Sequence, residues 1–155
     1  MNKNFFEVKN VDFKVGGKNK VNNVSFSIKK EGEIICLLGP SGIGKTTMLR
    51  TIAGLEKIDS GSIELNNKTL SSKKMNVDPE NRNISLAFQE NSLFPHYTIE
   101  KNILLGAERN KEKKEKKISL KEIINLLDIA HILNKYPHQV SAGEAQRASL
   151  ARSLV

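Results

Sequence analysis

Gly39-Pro40-Ser41-Gly42-Ile43-Gly44-Lys45-Thr46 is the stretch whose reading decides the fold. It matches the pattern G-x-x-x-x-G-K-[ST], and the chemistry explains the spelling. Glycines let the main chain bend tightly, so that successive N–H groups converge on a phosphate chain. Lys45 adds a point charge for the terminal phosphates, and the Thr46 hydroxyl is a ligand for the magnesium they carry. A helix opening directly after the loop aims its positive end at the same anion.

The flanks fit that reading. Glu33-Ile34-Ile35-Cys36-Leu37-Leu38 has the length and branching of a buried strand, which makes Cys36 a small buried hydrophobe. Beyond the loop, Met48, Leu49, Ile52, Ala53 and Leu55 recur at helical spacing, with Gly54 near the stop. Strand, glycine loop and helix together predict a nucleoside triphosphate site.

Further out, Phe5 to Val15 and Val24 to Ile28 alternate as strands, with a turn at Gly16-Gly17. Ser62 to Leu65 reads as a strand ending in a tight turn at Asn66-Asn67. Ser71 to Asn83 reads as a polar loop, where Pro79 rules out a regular helix. Ile84 to Phe88 is a further short apolar strand. From Thr98 the spacing turns helical. Ile99, Ile103 and Leu104 form one stripe, and Ile118, Leu120, Ile123, Ile124, Leu126 and Leu127 another. Pro137 closes a shorter segment, and a last helix begins near Ser141. The order predicts an α/β fold: a P-loop core with antiparallel N-terminal strands over about 1–90, then a helical subdomain over about 91–150.

The 155 residues have the length of one ordinary domain, and 38% hydrophobic with 27% charged residues suits a globular chain. No run of eighteen apolar residues offers a membrane span, and Met1 to Glu7 lacks the apolar stretch of a secretory signal. One cysteine makes no internal disulfide, so the cytosol is the expected compartment. The net charge of +8 is half accounted for by Arg109 to Lys117, with six positive and two negative side chains. No aromatic residue is interleaved there to stack on bases, so a solvated linker is expected, with attraction to anionic lipid headgroups the alternative and a nucleic-acid surface the weaker option.

A second motif narrows the family. Val140-Ser141-Ala142-Gly143-Glu144-Ala145-Gln146-Arg147 resembles the signature sequence of ATP-binding cassette (ABC) proteins, usually L-S-G-G-Q followed by Gln-Arg. Its distance from Lys45 is typical of that family. Phe88-Gln89 looks like the family's Q-loop, and Gly54-Leu55, Ser60-Gly61 and Leu93-Phe94-Pro95-His96 match its usual phrasing. The resemblance runs from about Phe5 to the last residue. With Arg82-Asn83-Ile84 and Tyr136-Pro137-His138 it points most closely to bacterial importers of iron(III), polyamines, sulfate, molybdate, thiamine or sugars, with a lean to iron(III).

The resemblance implies an ATPase subunit that drives import through transmembrane permease subunits, with a solute-binding protein, from the inner face of the plasma membrane. ATP and Mg2+ are the implied ligands. Gly39 to Thr46, with Thr47, would cradle the phosphates, and Thr46 and Gln89 would hold the metal. Lys45, Gln89 and Ser141 would serve catalysis. Ser141, Ala142, Gly143 and Glu144 would face the γ-phosphate bound by a second copy or a paralogue in a head-to-tail dimer. Taken alone, Ser141-x-x-Glu144 is also a capping box that starts a helix.

Some positions depart from the pattern. Ala142 adds a methyl group where the family has glycine, and Glu144 places a negative charge near the incoming anion. Val15 occupies the family's adenine-stacking aromatic position, and Phe13, of the same strand parity, is a candidate substitute. His96, His131 and His138 are expected on the surface or in subdomain packing. The family's catalytic carboxylates and switch histidine follow the signature helix, and the sequence ends at Leu154-Val155 before them. The single domain is therefore expected to be incomplete at its C-terminus, with apolar faces uncovered and hydrolysis belonging to the complete domain. The alternative readings are a catalytically incomplete nucleotide-binding fragment and a soluble ABC protein outside transport.

Overall fold

The first strand does not alternate evenly. In β1 (Phe6–Val15), the buried residues are Phe6 and Val8, then Val11 and Phe13. Strict alternation would have continued to Asn10 and Asp12. The pairing with both neighbours shifts between Val8 and Asp12, and Asn10 takes a positive φ of 46° there. This bulge inserts one residue and resets the strand's parity, so that Val11 and Phe13 face the core. The Ser25 hydroxyl accepts the Asn10 N–H at 2.8 Å and holds the bulge in place.

The computed structural model describes residues 4–17, 19–88, 92–109 and 119–155. They form two units, Met1–Ile84 and Ser85–Val155. In the first, β2 (Asn19–Ile28), β3 (Ser60–Leu65), β4 (Lys68–Ser72) and β5 (Met75–Asn76) join β1 in one antiparallel sheet of order β2-β1-β3-β4-β5. The turn from β3 to β4 has Asn66 at φ 49° and Asn67 at φ 63°. Two successive left-handed residues match the right-handed twist of a two-residue hairpin, and asparagine tolerates that conformation. The helix α1 (Lys45–Ile52) sets Met48 into a cluster with Phe6, Val8, Val11, Phe13, Ile58, Ile63 and Leu70. A fully covered side chain such as Ile63 is worth about 1.5–3 kcal/mol.

The C-terminal end of α1 is held by a buried cation. Arg82 is 1% exposed, and its guanidinium donates to six acceptors. Four are main-chain carbonyls, those of Thr51 and Ile52 on α1, Leu70 on β4, and Val77. The others are Ser71 Oγ and Asn76 Oδ1, the latter at 2.8 Å. A cation suits the negative end of a helix dipole, and the fork of N–H groups adds a partner to the Thr51 carbonyl, which also takes the Gly54 N–H, and to that of Ile52. Burial pushes the guanidinium below its usual pKa, and the charge of Asp78 opposes that shift.

The second unit holds α2 (Ile99–Arg109), α3 (Leu120–Leu126) and α4 (Ala142–Leu154), with 3-10 turns at Ala130–Ile132 and Pro137–Gln139. Its core gathers Leu93, Ile99, Ile103, Ile123, Ile129 and Ile132 against Ala145, Ala148 and Ala151 of α4. Small residues let α2 and α4 approach closely: a Cβ at Gly106 would collide with the carbonyl oxygen of Arg152. Asn102, fully buried, accepts the Phe94 N–H at 2.7 Å and donates to the carbonyls of Phe94, Tyr97 and Thr98. One side chain thus fixes the loop between Leu93 and α2.

Several expectations fail here. Glu33 to Leu38 is not a strand, and Ile34 and Leu38 are 96% and 86% exposed. Cys36 is exposed rather than buried. Ile84 to Phe88 likewise has no strand structure. Both segments read as parallel-sheet strands, which exist only where distant neighbours complete the ladder. Among the described residues nothing pairs with either, whereas every strand that does form closes an antiparallel pair. The stretch Ser71 to Asn83 is more ordered than a loop, since it contains the end of β4, all of β5, and a 3-10 turn at Pro79–Asn81. The stripe residue Ile118, and all of the basic stretch after Arg109, lie outside the described residues.

Candidate functional site

The glycine loop joins the irregular segment from Glu33 to the start of α1. Gly44 caps that helix in a left-handed conformation, φ 106°, and its carbonyl accepts the Met48 N–H at 2.8 Å. The residue is buried, and a Cβ on it would lie 2.9 Å from Val15 Cγ2, 3.2 Å from Val21 Cγ2 and 3.3 Å from Phe13 Cε2. Backbone angle and close packing both demand glycine at this point. The helix is thereby seated on the β1–β2 hairpin with its N-terminal amides turned into the loop.

Lys45 folds back over that loop. Its Nζ donates to the carbonyls of Gly39 at 2.7 Å and Pro40 at 2.8 Å. The ammonium therefore sits at the loop's rim, with two of its three N–H donors on loop carbonyls. Ser41, Gly42 and Ile43 are exposed, as is Thr46 on the first helical turn, while Thr47 is half-buried and its carbonyl accepts the Thr51 hydroxyl. An exposed main-chain arc, a helix N-terminus and a lysine at the rim suit an anionic chain of phosphates. Thr46 is exposed beside them, on the first turn of α1.

Phe13 does not serve the adenine. It is 2% exposed and belongs to the sheet's apolar cluster, because the bulge at Asn10 turns its ring inward. Val15 is half-buried at the strand end, against Gly44. Gln89 lies outside the described residues.

In the second unit, Ser141 caps α4 with φ −65° and ψ 160°. Its Oγ accepts the Glu144 N–H at 3.3 Å and donates to Glu144 Oε2 at 2.7 Å, and its own N–H donates to the same oxygen at 2.8 Å. The capping box is therefore complete. The other carboxylate oxygen, Oε1, is 2.9 Å from His131 Nε2. An ionised carboxylate only accepts, so the Nε2 atom carries the proton in this contact. Hydrogen bonds from the Ser141 hydroxyl and N–H, and then from His131, hold the Glu144 carboxyl down to about pKa 2. Ser141, Ala142 and Gly143 are exposed. A Cβ at Gly143 would meet Arg147 alone, at 3.9 Å, so this turn has room for a methyl group at either of its small residues.

The Gly39–Thr47 loop with Val15 belongs to the first unit, and Ser141–Glu144 to the second. Sequence reasoning missed the pairing of His131 with Glu144, the Asn102 knot and the Arg82 latch. His131 stands on a 3-10 turn thirteen residues before its partner, an offset with no helical or strand periodicity to betray it.

Comparisons with known proteins agree with both motifs. A family model described as "ABC transporter" matches residues 21–155. The Fe(3+) ions import ATP-binding protein FbpC of Fusobacterium nucleatum subsp. nucleatum is 39% identical over 150 residues, covering 96% of this chain and 39% of that protein. The spermidine/putrescine import ATP-binding protein PotA of Nitrosospira multiformis is also 39% identical over 150 residues, covering 96% and 40%. This chain thus spans about two fifths of the length of such relatives. Among solved structures, an ATP-binding subunit of an ABC transporter superposes with a TM-score of 0.78 at 24% identity, over 96% of this chain and 61% of that one, and shows the same fold. A dimeric bacterial ABC transporter cassette gives 0.74 at 28% identity, over 96% and 68%.

Proposed function

The chain belongs to the ABC transporter family, and on that premise we propose that it binds ATP and contributes to its hydrolysis in a subunit that powers solute import. The observation that carries the reading is the loop itself: Gly44 seats α1 on the hairpin, and Lys45 arches over Gly39 and Pro40. Gly39 to Thr47 hold the phosphates through main-chain N–H groups, and Lys45 neutralises the terminal ones. Val15 borders the nucleotide. Magnesium, bound with the nucleotide, supplies charge screening between the phosphates, and Thr46 and Gln89 are its side-chain ligands.

Ser141, Ala142, Gly143 and Glu144 act in trans, toward the nucleotide held by a second copy or a paralogue. What supports this is the exposed N-terminus of α4 and a relative of known structure described as a dimeric cassette. Permease subunits and a solute-binding protein complete the assembly, at the inner face of the plasma membrane. Among the described residues no helix is long and apolar enough to cross a membrane, so the membrane path falls to the partners in this scheme. Relatives named for iron(III) and for polyamines are equally similar, at 39% identity each, so the proposal names import rather than one solute.

Thermal unfolding with and without Mg·ATP tests the reading. At ATP a hundredfold above its Kd, linkage stabilises the folded chain by about 2.7 kcal/mol. Lys45→Ala should lose most of that gain. A wild-type chain indifferent to millimolar Mg·ATP would overturn the proposal. Phosphate release, measured in parallel, reports turnover separately from binding.

A further inference from the structure

The capping box at Ser141 holds more charge than a helix start needs. Glu144 Oε2 takes both the N–H and the hydroxyl proton of Ser141, at 2.8 and 2.7 Å. These are donors that an incoming phosphate would compete for. The carboxylate also brings a full negative charge to that point, so it repels the anion while occupying its donors. His131 is the counterweight. Its Nε2 is 2.9 Å from Oε1, on the opposite side of the carboxylate from Ser141. With a neutral imidazole the pair carries a charge of −1; with an imidazolium it carries none.

We propose that His131 is a positioning residue for the trans phosphate site: through Glu144 it sets how strongly the Ser141 end of α4 attracts a nucleotide's terminal phosphate. The inference rests on the trans role assigned to Ser141 above. With an imidazolium at His131 the attraction at this end is therefore stronger than with a neutral ring. The groups facing Glu144 are His131, from the 3-10 turn, and Ser141, at the cap. The other charged side chains on these segments are Asp128, ahead of the turn, and Arg147 and Arg152, further along α4. Among the described residues neither Asp128 nor Arg147 forms an ion pair with His131 or Glu144. His131 is itself half exposed, so the coupling weakens with added salt.

The experiment compares wild type with His131→Ala, His131→Arg and Glu144→Gln as full chains. Self-association driven by the magnesium complex of a non-hydrolysable ATP analogue is measured by sedimentation at pH 6 and pH 8. The phosphates of the analogue titrate too, so the readout is the difference between each variant and wild type. Wild type should associate about fivefold more tightly at pH 6 than His131→Ala does, the effect of one charge at an exposed helix end. The gap between the two should narrow toward pH 8. His131→Arg should keep the tighter level at both values, a rescue that a merely structural histidine would not show. Glu144→Gln should also hold the tighter level, with no response to the state of His131.

A His131→Ala chain with the full wild-type response to pH would overturn the inference and leave the trans role standing. Failure of every chain to associate at either pH would overturn the trans role, and the inference with it. A separate measurement needs no association. The Nε2 resonance of His131 in nucleotide-free protein should move on Glu144→Gln. An unchanged resonance would mean that the pair does not form, and it would overturn the inference whatever the sedimentation shows.

Discussion

At Gly44 the spelling of the loop and the packing of the sheet meet in one residue. Its φ of 106° and the 2.9 Å approach of Val15 to a would-be Cβ are independent objections to any side chain. Gly44→Ala should cost about 1–3 kcal/mol in urea unfolding. Adding Val15→Ala should recover the share of the cost that comes from the 2.9 Å contact and leave the backbone part with the Val21 and Phe13 contacts, so the double-mutant cycle isolates the Val15 clash. Glu144 makes a prediction of a different kind. Its carboxyl is held at about 2, below the ordinary 4.5, so the capping box contributes stability that is complete above 4.5 and lost as pH falls toward 2. Acid titration of helicity should show Glu144→Gln with a shallower loss than wild type across that interval. The loop and the capping box were legible in the sequence, because both are local patterns whose partners lie within six residues. The His131 contact and the burial of Phe13 were not. One depends on a pairing thirteen residues apart, the other on a bulge that changes which face of β1 a given number occupies.

Among the elements, those that close on themselves were readable and those that need a distant neighbour were not. The β3–β4 hairpin announced itself through Asn66-Asn67, and α4 through Ser141 and Glu144. Glu33 to Leu38 has the composition of a buried strand, yet composition supplies no ladder, and its apolar side chains stand in solvent. The element most dependent on a single side chain is the C-terminal end of α1. Arg82→Met keeps much of the volume and removes every donor, which takes its partner from the Ile52 carbonyl and leaves the Thr51 and Leu70 carbonyls with only the Gly54 and Val77 N–H groups. A loss of roughly 3 kcal/mol or more is expected in denaturant unfolding. Hydrogen exchange should rise first at the last turn of α1 and at β4 and β5. Equal loss of protection throughout the first unit would show instead that the latch is not a local feature.

For the molecule as a whole, each unit carries its own apolar cluster, one built on a sheet and one on alanine-faced helices. The first unit also displays Ile34 and Leu38 in water. Since these side chains contribute no burial to the described fold, Ile34→Lys should change unfolding free energy by less than about 0.5 kcal/mol. It should nonetheless raise the concentration at which the nucleotide-free protein begins to self-associate, measured by light scattering. A last consequence follows from the chemistry of the Arg82 contacts. Four of its six acceptors are peptide carbonyls, which every amino acid provides. The clamp reads the path of the chain, not the letters along it. A saturation mutagenesis profile should therefore be lopsided: intolerance concentrated at position 82, and wide latitude at 77, whose contribution survives any substitution that leaves the backbone where it is.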